Sequence, residues 1–397
     1  MPSKIIIKNS VAPQGAEQMV IMRDASGGKL RLFPGSNQVV LTSIRPSGGE
    51  YNTYKSFDSG DTFEQQPTSF PVPISGFTSN IAVSFNNRYY FIGDPSTIDS
   101  SSYIAVSNNG SNSWDYKAPS ASNVRRYHSV NSSRDGRYVL ATNGAYNDNG
   151  DVALSQDFGE NWTFPLTANR FTKTFVSPTG ENMFAGNFTN GQTKYSDDSG
   201  DNWSTFPETL SSFGGGMISG DGNYKVVHEQ YQSSGGAKLY ISTDWINWSL
   251  HSLTVRLVGG SISNDGKYML VAASDGFNSP EDILNLSNDY GQTWTEVTPF
   301  STSYWAGTAM SSDGKYMIAI PGFATAGYTY KSVDYGQTWE LVSDIPQGKY
   351  NTVQMSKSGR YIYITGTDEG IFVSKNYMAT WNQQYDASTG GGVFINF

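Results

Sequence analysis

The sequence predicts an all-β fold assembled from one four-stranded unit repeated about every 45 residues. Three observations predict it. A turn motif, Ser-x-Asp-x-Gly-x-x-Trp, recurs along the chain. A second turn motif, Ser-x-Asp-Gly-Lys/Arg-Tyr, falls between consecutive copies of the first. No window carries a helical apolar period, whereas runs such as Tyr268-Met269-Leu270-Val271-Ala272 follow the turns as strands do.

In chain order, residues 1–37 stand outside the repeat. Lys4-Ile5-Ile6-Ile7-Lys8-Asn9-Ser10 reads as one strand and Lys29-Leu30-Arg31-Leu32-Phe33 as another, joined by a stretch that bears Gly and Pro. The repeat then occupies residues 38–397. The first motif stands intact at Ser155/Asp157/Gly159/Trp162, Ser196/Asp198/Gly200/Trp203, Ser287/Asp289/Gly291/Trp294 and Ser332/Asp334/Gly336/Trp339. Four further copies are degraded, and the one at Ser242 has lost its glycine and one residue before the tryptophan. Ser56/Asp58/Gly60 ends in Phe63, and Ser107 leads to Asn109 and Trp114. Ser242/Asp244 leads to Trp248, and Ser374 leads through Asn376 and Met378 to Trp381.

The second motif is intact at Ser133/Asp135/Gly136/Tyr138, Ser263/Asp265/Gly266/Tyr268 and Ser311/Asp313/Gly314/Tyr316, with weaker copies from Ser84, Ser177, Ser219 and Ser356. Asp-Gly between apolar runs marks a hairpin, because glycine reaches the positive φ that a tight turn requires. Each unit therefore reads strand A, Asp-Gly turn, strand B, loop, strand C, Asp turn, strand D. In the Asp turn the carboxylate accepts backbone N–H groups, glycine permits the turn, and tryptophan packs between neighbouring sheets.

A four-stranded unit cannot bury both faces alone, so the units stack radially as propeller blades. Eight Asp turns accompany seven Asp-Gly turns, because the first Asp turn has no strand A before it. Gly390-Gly391-Gly392-Val393-Phe394-Ile395 resembles the strand A at Gly214-Gly215-Gly216-Met217-Ile218-Ser219 and supplies the missing strand. The expectation is an eight-bladed β-propeller over 38–397 whose C-terminal strand completes the blade begun by residues 38–67. Seven blades is the alternative. The short N-terminal extension over 1–37 is a separate segment.

The repeated Ser-x-Asp-x-Gly-x-x-Trp copies resemble the Asp-box, or BNR, repeats of β-propellers. The structural residues of that resemblance are Asp58, Asp157, Trp162, Asp198, Trp203, Asp244, Asp289, Trp294, Asp334, Trp339 and Trp381. The resemblance implies architecture rather than activity, since such propellers include sialidases, xyloglucan hydrolases, sorting receptors, assembly factors and lectins. The opening Met-Pro-Ser-Lys-Ile-Ile-Ile-Lys-Asn-Ser, followed by the element at Lys29 to Phe33, is similar to the N-termini of tailed-phage virion proteins, fibre-like ones in particular. That similarity implies a particle-anchoring segment.

Composition narrows the chemistry. Lys and Arg number 26 against 35 Asp and Glu, a net charge of −9. That balance lacks the basic excess of a general nucleic-acid binder. With no cysteine and three histidines (His128, His228, His251), a thiol nucleophile and a thiolate metal site are excluded and a multi-histidine metal site is disfavoured. No metal and no cofactor are expected. No apolar run approaches the roughly 20 residues of a membrane span, and the opening apolar stretch is too short for a secretory signal.

A sialidase needs an arginine cluster, a Tyr/Glu nucleophile pair and an acid. Only Ile44-Arg45-Pro46 faintly matches that family's Arg-Ile-Pro element, so no catalytic residue is assigned. Asp94, Asp148, Glu229, Glu281, Asp282, Asp368 and Glu369 read as solvated loop acids. Asp148-Asn149-Gly150-Asp151 lacks the full pattern of a calcium loop.

Aligned on the Asp-Gly turns, the positions at the start of strand A form two rings around one channel mouth. One carries Phe77, Arg126, Arg170, Ser212, Arg256, Tyr304 and Lys349. The other carries Thr78, Tyr127, Phe171, Phe213, Leu257, Trp305 and Tyr350. Basic groups beside aromatic faces suit sugars or anionic polymers, which makes Arg126, Tyr127, Arg170, Arg256, Tyr304, Trp305, Lys349 and Tyr350 the candidate ligand residues. The competing reading has the aromatics wedged between blades.

The expected function is a non-enzymatic, virion-located propeller. It engages a cell-surface glycan or another virion protein, and its N-terminal segment meets further virion proteins. A purely structural head-decoration or tail component, a sialidase-like glycoside hydrolase and a bacterial lectin are the alternatives.

Overall fold

The computed structural model of the 397-residue chain describes Ser59 and the strands at 20–23, 30–33, 40–44, 52–56, 64–65 and 391–395. Apart from a number of loop segments, it also describes residues 81–385. Every regular element among these residues is a β-strand, and none is a helix. Among the described residues no helix is therefore long and apolar enough to cross a membrane.

The strands assemble into four-stranded antiparallel sheets, each a meander whose order in space is its order in sequence. The second sheet runs from Ile81–Val83 to Asp115–Lys117, the third from Ser129–Ser132 to Thr163–Leu166, and the fourth from Lys173–Val176 to Ser204–Thr205. The fifth runs from Phe213–Ile218 to Ser249–Ser252, the sixth from Leu257–Ile262 to Thr295–Val297, the seventh from Trp305–Met310 to Glu340–Leu341 and the eighth from Tyr350–Met355 to Asn382–Tyr385. The first sheet departs from this rule. Its inner strand is Gly391–Ile395, which pairs with Val40–Ile44 over the register Val40↔Ile395 to Ile44↔Gly391, and Asn52–Ser56 and Glu64–Gln65 follow. A lone hairpin pairs Val20–Arg23 with Leu30–Phe33.

The inner strand of each sheet touches the inner strands of the sheets on either side, and the contacts return from the eighth sheet through Gly391–Ile395 to the second. A bond from Tyr363 Oη to the carbonyl of Ser59, 2.9 Å, joins the eighth sheet to the first. The architecture is that of a β-propeller.

The core lies between sheets, as the sequence pattern requires. The second strands are buried along their whole length (Val139–Thr142, Met269–Ala273, Met317–Pro321, Ile362–Gly366), because both of their faces meet a neighbouring sheet. The outer strands are largely exposed. One hydrophobic cluster, for example, joins Leu270, Ala272 and Leu284 of the sixth sheet to Trp305, Met317 and Ala319 of the seventh.

At the N-terminus the strand at Leu30–Phe33 takes Val20–Arg23 as its partner, and the strand expected at Lys4-Ile5-Ile6-Ile7-Lys8-Asn9-Ser10 lies outside the described residues. A short antiparallel partner close in sequence closes with less loop entropy than a distant one, which favours the local pairing.

Candidate functional site

Both turn types use one device. In the Asp turn of the third sheet, Ser155 Oγ donates to Asp157 Oδ1 at 2.9 Å and accepts the N–H of Gly159 at 2.9 Å. Asp157 in turn accepts the backbone N–H of Asn161 at 2.9 Å and its side-chain amide at 2.7 Å. Trp162 Nε1 closes the turn by donating to the carbonyl of Gly159 at 2.9 Å.

The same set recurs around Asp198 with Trp203, Asp289 with Trp294, and Asp334 with Trp339. Around Asp244, Trp248 Nε1 donates to the carbonyl of Trp245, which stands where the others carry glycine. The Asp198 and Asp244 carboxyls are held below the ordinary carboxylate range, first by the backbone N–H groups of Asn202 and Asn247. These carboxylates are committed to holding turns. The turn tryptophans are half-buried and bonded to their own turns, less deeply packed than the sequence suggests; Trp381 is the buried one. Asp58 lies outside the described residues.

The Asp-Gly turns repeat this chemistry. Ser263 Oγ donates to Asp265 Oδ1 at 2.7 Å, the N–H of Lys267 bonds the same oxygen at 3.0 Å, and Gly266 sits at φ 77°. A hairpin meander brings the A–B and C–D turns to one face of the disc, and that face carries a recurring pair. A cation lies over the ring of the tyrosine that follows it in sequence: Arg88 over Tyr89, Arg137 over Tyr138, Lys267 over Tyr268, Lys315 over Tyr316 and Arg360 over Tyr361, each 5.1–5.2 Å from the centroid. The arginines bridge inward as well. Arg137 Nε donates to the carbonyl of Gln156 at 3.2 Å and Arg360 Nε to that of Lys375 at 3.3 Å.

Three of these tyrosines, and Tyr224 of the fifth sheet, also reach the Asp turn of the next sheet, where a non-glycine residue takes positive φ. Tyr89 stacks on Phe158 (4.5 Å) and Tyr224 on Tyr290 (5.2 Å), while Tyr268 meets Tyr335 (5.3 Å) and Tyr316 meets Tyr377 (5.1 Å) with tilted rings. In the fourth sheet Asn182 replaces tyrosine, and Trp245 of the fifth sheet donates its Nε1–H to Asn182 Oδ1 at 3.0 Å instead. Near the axis, backbone bonds run from turn to turn: Asn264 N to Ser312 O at 2.7 Å, and Ser312 N to Lys357 O at 2.8 Å. Partial burial, then the charge of Arg134, holds Lys357 below its ordinary range. The rim of this face thus sets cations beside the turn carboxylates in an acidic protein.

The opposite face carries the starts of the inner strands, where the sequence places its ligand residues. Tyr127, Trp305 and Tyr350 are 2%, 0% and 0% exposed, as are their ring neighbours Phe171, Phe213 and Leu257 at 0%. This corrects the expectation that they line a channel mouth. They are wedges between sheets, as the contact of Tyr127 with Gly93 of the preceding sheet shows. Burying a large aromatic gains more than solvating it at a rim. Tyr304 and Lys349 stay half-exposed at that mouth, whereas Arg126, Arg170 and Arg256 lie outside the described residues.

Two further titratable groups were invisible as a pair in the sequence. Lys173 Nζ donates to the carbonyl of Gly214 at 2.6 Å, and burial pushes it down to about 8. Burial, then the charge of Lys173, holds His228 down at about 3. Beside them Glu229 is fully buried and accepts the N–H of Ser211 at 2.8 Å, which corrects its reading as a solvated loop acid. Among the described residues no group of three or more His, Asp or Glu side chains is placed to hold a metal ion.

The comparisons with known proteins meet this geometry at the level of the fold. No family model and no curated protein sequence matches the chain. Solved structures do. YCF48 bound to a D1 peptide is 15% identical with a TM-score of 0.52, and the match covers 77% of this chain and 95% of that one. Hydrazine synthase of Kuenenia stuttgartiensis is 13% identical with a TM-score of 0.56, over 79% of this chain and 99% of that one. Chaetomium thermophilum Sqt1, bound to the N-terminus of the ribosomal protein L10, is 12% identical with a TM-score of 0.56, over 77% and 87%. These neighbours are β-propellers, and at such identity the likeness speaks for the fold alone.

Proposed function

We propose that this chain is an eight-bladed Asp-box propeller of a phage-type particle. It acts without catalysis, as a module that binds an acidic cell-surface glycan. Support for the ring comes from the eight four-stranded sheets, from Gly391–Ile395 completing the first of them, and from inner-strand contacts that run full circle. Residues 1–37 attach it to other virion proteins in this reading, and the particle is its location.

One observation carries the binding role. Five cation-over-tyrosine pairs recur at blade spacing on a single face, together with Arg134 and Lys357 near its axis. Guanidinium and ammonium groups bind carboxylated sugars, and the adjoining rings offer C–H stacking surface. Repetition at blade spacing makes the surface multivalent, so that weak single contacts add up.

The test is a glycan array and a host-cell binding assay with the full chain and with the triple variant Lys267→Ala, Lys315→Ala, Arg360→Ala. Binding should fall at least tenfold in the variant. Equal binding by the two proteins overturns the assignment of this face. A protein ligand is the second reading, favoured by two structural neighbours that were solved with a peptide segment bound. Retrieval of another particle protein in place of any glycan decides for it.

A further inference from the structure

A sheet that ends in an open outer strand exposes unpaired N–H and C=O groups, and folded proteins guard such edges with charge, proline, bulges or short strands. Among the described residues, seven of the eight outer strands carry a guard. Glu64–Gln65, Ser204–Thr205 and Glu340–Leu341 are two residues long. Asp115–Lys117 and Thr295–Val297 contain charged side chains. Thr163–Leu166 contains Pro165 and an irregular register, and Asn382–Tyr385 is likewise irregular.

The outer strand of the fifth sheet, Ser249–Ser252, has none of these. Its register with Lys238–Ser242 is unbroken, from Lys238↔Ser252 to Ile241↔Ser249, and residues 245–255 contain no Asp, Glu, Lys or Arg. Leu250 is 54% exposed on it, and Ile246 beside it is 75% exposed.

The hydrogen-bond phase fixes what the edge presents. Leu253 N–H donates inward to the carbonyl of Ala237 at 2.8 Å. Antiparallel alternation therefore turns residues 249, 251 and 253 inward, and it leaves the N–H and C=O of Leu250 and Ser252 pointing out of the sheet. His251 stacks on Trp294 of the sixth sheet at 5.0 Å, so Leu250 projects from the opposite side of the strand.

We propose that this edge is a self-association site: a second copy of the chain adds its own Ser249–Ser252 antiparallel to the first, across a two-fold axis at His251. The outward groups are self-complementary in that arrangement. Leu250 of each copy exchanges two backbone bonds with Ser252 of the other, and two four-stranded sheets become one of eight strands. The phase selects a second copy as the occupant: Leu250 and Ser252 stand symmetrically about His251, so an identical strand meets every outward donor with an acceptor, and the absence of Asp, Glu, Lys and Arg over residues 245–255 leaves no like charges opposed along it. Four residues bury less than the roughly 1,000 Å² of a tight interface, so the dimer is weak and depends on concentration.

Analytical ultracentrifugation of the full chain from about 5 µM to about 500 µM tests this, a range set by the small interface. The mass should rise from 43.4 kDa towards twice that value, and hydrogen exchange at the Leu250 and Ser252 amides should slow together with it. Leu250→Lys should weaken association at least tenfold, while Ser204→Lys on the neighbouring outer strand leaves it unchanged. Ser252→Pro removes an outward donor and serves as the second variant, with circular dichroism as the folding check for both. A chain that stays monomeric at every concentration, or a dimer whose Leu250 and Ser252 amides exchange freely, overturns the proposal.

Discussion

Gly314→Ala probes the clamp between sheets more sharply than any deletion. Gly314 sits at φ +78° in the Asp-Gly turn of the seventh sheet, where a β-carbon would stand 2.7 Å from Cγ and 2.9 Å from Cβ of Tyr268 in the sixth. Alanine in the left-handed region costs about 1–2 kcal/mol, of which the stiffer unfolded chain returns about 0.4–1 kcal/mol. The larger cost is steric. The Tyr268 ring is held between Lys267 and Tyr335 and cannot retreat without losing one of them, and overpacking of this kind costs about 1–3 kcal/mol.

The net expectation is a loss of about 2–4 kcal/mol. Gly307→Ala on the inner strand of the same sheet is the control, because nothing lies within 4 Å of a β-carbon there and its φ is not positive. It should be neutral or stabilising by about 0.5–1 kcal/mol. Urea unfolding followed by tryptophan fluorescence measures both. In the double variant Tyr268→Ala, Gly314→Ala, the steric part should vanish and the backbone part remain, giving a coupling of at least about 1 kcal/mol. A Gly314→Ala protein with an unchanged midpoint, or equal losses at Gly307 and Gly314, refutes the clamp.

The other predictions share this logic. Ser287→Ala leaves the Gly291 N–H without its acceptor and takes one of the donors from Asp289, and should cost about 1–3 kcal/mol by denaturant titration. Trp305→Ala empties a fully buried wedge and should cost about 3–5 kcal/mol; a small loss would mean the wedge is not packed. Removal of Gly391–Ile395 strips Val40–Ile44 of a five-pair partner and should lower the melting temperature; an unchanged temperature contradicts the closure.

Acid should destabilise in two stages. His228 is a base whose affinity for protons is lower folded (about 3) than unfolded (6.5), so its contribution is intact above 6.5 and is lost as pH falls towards 3, by about 1.4 kcal/mol per pH unit. The turn aspartates, also lowered, add their loss below 3.8. His228→Asn should flatten the first stage alone, and an unaltered pH profile argues against a buried neutral imidazole.

Much of the fold was legible because each unit repeats its own local chemistry. Ser155, Asp157, Gly159 and Trp162 bond one another within eight residues, so the motif can be read without knowing what lies across the disc. The four-strand meander and the partner role of Gly391–Ile395 followed from that periodicity. The candidate surface was less legible. Tyr127, Trp305 and Tyr350 carry the same residue types a sugar platform would, and their burial depends on neighbouring sheets far away in sequence. The cation-over-tyrosine pairs did have a signal, the Lys/Arg-Tyr step after each Asp-Gly. Nothing local in that step tells which face it decorates.

The amino-acid order by itself determined turns, strands and their period, since these rest on φ preferences and hydrogen bonds between near neighbours. Tertiary structure alone decided which aromatics became wedges and which stayed on the rim, how burial and then Lys173 came to lower His228, and which of the described outer strands, Ser249–Ser252, presents a regular uncharged edge. Those outcomes depend on radial packing, which brings together groups about 45 residues or more apart and sets the burial that fixes their energies.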